Sequence, residues 1–93
     1  MNLDEEIQRG GEARRIIEHP LYQEAIKSVR EGIVSAMGQS ALGDEKTHNR
    51  LVISLQLLAK IESNLKTVME TGRMAEIQLN ESTRQKIRKV IGF

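Results

Sequence analysis

DEKTHNRLVISLQLLAKIESNLKTVMETG, residues 44–72, is the stretch whose reading decides the fold. It opens on Asp44, whose carboxylate can accept the free N–H groups of a helical first turn. It ends on Gly72, a residue that can take the left-handed conformation closing a helix. No Pro or Gly interrupts the run between them. Leu51, Leu55, Leu58, Ile61, Leu65 and Val68 recur at steps of three and four, which places them on one helical face. At roughly 1.5 Å per residue such a helix is about 42 Å long. Val52, Ile53 and Leu57 add apolar side chains on the other side, so one packed neighbour cannot cover the first half of the helix.

Working back toward the N-terminus, Gln39 to Gly43 reads as a short polar turn, preceded by Gly38 as a helix-ending glycine. Before it Tyr22, Ile26, Val29, Ile33 and Met37 form a second apolar stripe. Pro20 suits the first position of that helix and disfavours helix at His19. The expected arrangement is all-α: an antiparallel hairpin of residues 20–37 and 44–72. A helix over residues 12–18 precedes it. Residues 3–9 form a short helix, and Gly10-Gly11 breaks it as a hinge, leaving 1–11 as a mobile N-terminal segment. Beyond Gly72, residues 73–80 read either as a further helical turn or as an extended arm, because Ala75, Ile77 and Leu79 alternate. A short basic helix capped by Asn80 or Ser82 then runs to Ile91, with Phe93 free to dock on a neighbour.

Composition agrees with one helical domain of 93 residues. Tyr22 and Phe93 are its only aromatic residues, so a core would rest on Leu, Ile, Val, Met and Ala. The absence of Cys removes disulfides, thiolate metal sites and a thiol nucleophile. No apolar run reaches the roughly 18 residues that would span a bilayer, and the acidic first residues do not resemble a signal peptide. A cytoplasmic protein with no membrane partner is expected. Charge is uneven: residues 1–24 carry six acids against three bases, and residues 73–93 five bases against two acids. Head-to-tail pairing between subunits, phosphate binding by the tail and ordinary solvated surface all accommodate that pattern.

Chemistry is sparse. His19 lies at a helix boundary, where capping is the simplest role. His48 falls one turn after Asp44 and Glu45, too few ligands for a metal site. Ser28, Ser35, Ser40, Ser54 and Ser63 lack a nucleophile elbow, and no phosphate loop or dinucleotide fingerprint occurs. Asn80-Glu-Ser82 matches a glycosylation sequon without a route to secretion. No enzyme, cofactor or metal is expected. Arg84, Lys86, Arg88 and Lys89 are candidate phosphate-binding residues, in a sequence-blind electrostatic contact without aromatics for stacking. Leu51, Val52, Ile53, Leu55, Leu57, Leu58 and Ile61 are the expected oligomer interface.

Two segments, EARRIIEHPLYQEAI (residues 12–26) and LLAKIESNLKTVMETGRMA (residues 57–75), carry a resemblance. Together they cover about a third of the chain. They are similar to small all-helical proteins, mostly of unassigned role, encoded among the structural and packaging genes of tailed bacteriophages. That family has no active site to carry over. The resemblance implies a non-enzymatic homo-oligomer that binds other phage or host proteins in head assembly or DNA packaging. A ring-forming small terminase would usually add a helix-turn-helix, and none is found here. The alternative is a phage inhibitor or sponge of a host defence system, binding a host protein or a signalling nucleotide. A host adaptor without a phage link is a third reading.

Overall fold

The computed structural model describes the backbone of residues 1–91 and the side chains of residues 1–88. Three helices account for nearly all of it: α1 (Leu3–Glu18), α2 (Pro20–Gln39) and α3 (Glu45–Ile91). There is no strand among the described residues. Contacts divide the chain into two compact units. The first joins Met1–Arg15 to the chain from Leu65 onward; the second is Ile16–Asn64.

In the first unit α1 starts at a cap the sequence reading did not single out. The Asn2 side-chain oxygen accepts from the Glu5 backbone N–H at 2.8 Å, and the Asn2 amide donates to the Glu5 carboxylate at 3.3 Å. Asp4, Glu5 and Glu6 fill the first turn, where negative charge suits the helix dipole. The helix then runs straight through Gly10-Gly11. The expected hinge is therefore replaced by a packed helix, and the reason lies across from Gly10. A Cβ built on Gly10 would sit 2.7 Å from the Cα of Gly72 and 3.3 Å from the Val68 carbonyl oxygen. A Cβ on Gly72 would sit 2.7 Å from the Cα of Gly10 and 2.8 Å from the Glu6 carbonyl oxygen. The two helices meet backbone to backbone. Three residues beyond each glycine, Ala13 and Ala75 are 4% and 2% exposed. A small-x-x-small pair on each helix thus forms this core, and glycine is the residue type that permits so close an approach.

Gly72 accordingly does not end a helix. α3 passes through it for 47 residues, and residues 73–80 are helical rather than an extended arm. The basic segment is the end of the same helix, not a separate short one begun at Asn80 or Ser82. Lys89, Val90 and Ile91 lie outside the described side chains, and Phe93 lies outside the described residues altogether.

In the second unit, His19 has extended backbone (φ −69°, ψ 125°) and separates α1 from α2. Its Nδ1 accepts from the Leu21 N–H at 3.1 Å, so the ring proton of the neutral side chain is on Nε2. Gln23 donates from its side chain to the Ile17 carbonyl at 3.1 Å, tying the first turn of α2 to the end of α1. α2 continues through Gly38, which is not its cap. Ser40, with extended backbone, ends the helix and returns its N–H to the Ala36 carbonyl. The chain then turns at Gly43 (φ +85°), where a side chain would be strained. Asp44 starts α3 as expected: Thr47 donates its N–H to Oδ1 at 3.1 Å and its hydroxyl to Oδ2 at 2.7 Å.

Tyr22, Ile26, Ile33 and Met37 of α2 are half-buried, while Val29 is 50% exposed. On α3, Leu51 and Leu55 are half-buried and Leu58 is 7% exposed. An ion pair between Arg30 and Glu62 joins the two helices. Ala13, Leu58 and Ala75 are the buried apolar residues among those described, a core that is small in both units.

Candidate assembly surface

The seven residues expected to form an oligomer interface separate into two sets of three, with Val52 apart from both. Leu51, Leu55 and Leu58 are half-buried or buried within the second unit. The steps of four, three and four from Leu51 lead to Glu62, the partner of Arg30, so this stripe faces α2. Ile61 does not belong with it. At 53% exposure it shares a face with Ile53 and Leu57, which are 53% and 61% exposed, at steps of four. The regrouping follows from helical phase: Ile61 is three residues from Leu58, but Glu62 lies closer to the axis of the covered face. Val52, 39% exposed, lies on a different side again.

The basic residues do not converge. Arg84 and Arg88 are one turn apart and line a shallow surface recess with Glu81 and Gln85. Lys86 projects from nearly the opposite side of a helix that advances about 100° per residue. Arg84, Lys86 and Arg88 are all exposed, and Lys89 lies outside the described side chains. Cations spread around a helix, with Glu81 beside two of them, present a weak focus for a phosphate group.

His48 has a partner that sequence reading missed. Its Nε2 lies 2.5 Å from the Ser40 hydroxyl, which is also 2.9 Å from the Met37 carbonyl. A serine and a histidine within hydrogen-bond reach form the first half of a nucleophile–base pair. Here, however, the single hydroxyl proton of Ser40 goes to the Met37 carbonyl, so His48 Nε2 is the donor. The Asp44 carboxylate, which would have to orient the imidazole, is taken by Thr47. Those hydrogen bonds, the Thr47 hydroxyl first and its backbone N–H second, hold the Asp44 carboxyl below its ordinary pKa. The arrangement serves as a latch between the end of α2 and the start of α3. The signal for it was available in the eight-residue spacing of Ser40 and His48 across a tight turn.

Among the described residues, no three His, Asp or Glu side chains gather as metal ligands. No helix among them is long and apolar enough to cross a membrane. Met1, Glu6, Arg9, Thr67, Val68 and Thr71 line a further shallow, mostly apolar recess in the first unit. Comparison of the chain with protein-family models, curated proteins and solved structures finds no match.

Proposed function

We propose that this chain is a non-enzymatic helical protein that works by self-assembly. Its exposed apolar side chains are the observation that carries the reading. Leu21, Val34, Ile53, Leu57, Ile61 and Met74 are each more than half exposed. Several large apolar residues left open on one small chain mark a surface that a partner covers. Antiparallel pairing of α2 with the first half of α3 belongs to the same proposal, supported by the Arg30–Glu62 pair and the Ser40–His48 latch.

The setting is a tailed bacteriophage, where the protein acts in head assembly or DNA packaging within the host cytoplasm. That part rests on the resemblance of residues 12–26 and 57–75. The spread of the basic residues favours protein partners over nucleic acid. The test is a mass measurement by light scattering at tens of micromolar, with mass spectrometry of what co-purifies from producing cells. The expected result is a multiple of 10.5 kDa together with head or packaging proteins. A monomer overturns the assembly reading. A host defence protein or a bound nucleotide in place of virion components moves the role to inhibition.

A further inference from the structure

The exposed stripe on the first half of α3 has an internal symmetry. Arg50, Ile53, Leu57, Ile61 and Asn64 follow one another at steps of three, four, four and three, the same read in either direction from Leu57. All five are exposed within the second unit. We propose that a second copy of this chain occupies the stripe, its α3 running antiparallel to the first across a two-fold axis at Leu57. This rests on the self-assembly reading above and specifies its geometry.

In a two-fold antiparallel pair centred on Leu57, Ile53 meets Ile61 of the second copy, and Leu57 meets Leu57. The three central layers are then apolar, as the middle of an isologous interface requires. The flanks discriminate between the two orientations. Antiparallel pairing sets Arg50 opposite Asn64 and Lys60 opposite Ser54, so each cation meets a neutral polar side chain. Parallel pairing sets every residue opposite itself, bringing Arg50 against Arg50 and Lys60 against Lys60. Like charges in that position oppose association. No acidic residue lies on the stripe to neutralise them.

Area points to the same occupant. A stable interface removes about 800 Å² from each partner. Helices packed 8–10 Å apart along about four turns, with α2 flanking the contact, supply a patch of that order. The stripe is not already used by the chain itself, since Ile53, Leu57 and Ile61 all remain at least half exposed.

The chain contains no cysteine, so single cysteines report the geometry in the intact 93-residue chain. A disulfide needs Cα atoms within about 7 Å. In the antiparallel pair the two Leu57 positions satisfy that, while the two Ile53 positions stand about 12 Å apart along the axis. Leu57→Cys is therefore expected to give a disulfide-linked dimer under mild oxidation. Ile53→Cys alone gives none, and a mixture of Ile53→Cys and Ile61→Cys chains gives the mixed dimer. Circular dichroism on each variant establishes that the helices are retained, and spin-label distances at the same positions supply a second readout. If Ile53→Cys links to itself, or if Leu57→Cys fails to link in a protein that light scattering shows to be assembled, the geometry is overturned and self-assembly stands. A wild-type monomer overturns both.

Discussion

The two units hold their helices together in opposite ways. In the first, α1 and the second half of α3 touch through Gly10, Ala13, Gly72 and Ala75, so that backbone lies on backbone. In the second, the covered residues of α2 and the first half of α3 are Leu, Ile, Met and Tyr side chains, and the Arg30–Glu62 pair and the Ser40–His48 latch link the two helices. Close approach gains dispersion contacts along two main chains but leaves no room for any further atom. Side-chain packing gains apolar burial and depends on those side chains being present. One contact is sensitive to addition, the other to removal.

The largest effect is expected from removal in the second unit. Leu58→Ala takes away its one buried large side chain and should cost about 2–5 kcal/mol by chemical denaturation. Hydrogen exchange should report the loss within residues 16–64. A cost below about 1 kcal/mol would mean that this unit is not held by side-chain packing.

Addition in the first unit comes next. Gly10→Ala or Gly72→Ala forces a methyl to within 3 Å of backbone atoms, which cannot rotate away. Overpacking of this kind costs about 1–3 kcal/mol, and amide protection should fall in α1 and beyond Leu65. Gly11→Ala is the control on the same helix. Nothing lies within 4 Å of its added methyl, so relief of the glycine penalty should stabilise α1 by up to about 1 kcal/mol. Equal behaviour of Gly10 and Gly11 would remove the close contact from the account.

The smallest effect concerns the start of α3. The Asp44 carboxyl titrates below its ordinary value because Thr47 donates to it twice. A carboxylate with a depressed folded-state pKa contributes stability above its unfolded value and loses it as pH falls through the folded one. The contribution should therefore disappear only in strongly acidic solution. Thr47→Val removes the hydroxyl donor and should raise the Asp44 midpoint in a carboxyl NMR titration, toward the ordinary aspartate value.

The features legible in the sequence are those whose causes are local. Asp44 caps a helix through a residue three positions away, and His19-Pro20 breaks one through the proline ring itself. Both were readable, as was the polar turn before α3. The glycines were not. Gly10, Gly38 and Gly72 each resemble a breaker or cap when only neighbours are considered, yet all three lie inside helices. For Gly10 and Gly72 the deciding fact is the other glycine, far away in sequence. The matching Gly-x-x-Ala spacing at residues 10–13 and 72–75 was the available trace of that contact. The division of the first half of α3 into covered and exposed faces was half legible: Ile53 and Leu57 were set away from the covered face, while Ile61, grouped with that face, is 53% exposed. A step of three moves a residue about 60° around a helix, and taken from Leu58 it carries Ile61 off the covered face. Lys60 and Glu62 flank Ile61, but the apolar spacing read without them does not settle the phase.

The glycine contact also sets an order of events. Gly10 and Gly72 are 62 positions apart in the chain, whereas Arg30 and Glu62 are 32 apart and Ser40 and His48 only 8. Closing the longest of these loops costs about 2 kcal/mol more in chain entropy than closing the shortest. Residues 16–64 form an uninterrupted stretch that can close on itself during synthesis, as the latch beside Gly43 draws its helices together. α1 leaves the ribosome before any of them, and its partner at Gly72 is made well after. The earliest of the three helices to be synthesised is thus the last to be packed. Until Gly72 emerges, Gly10 and Ala13 have no surface of their own chain to meet.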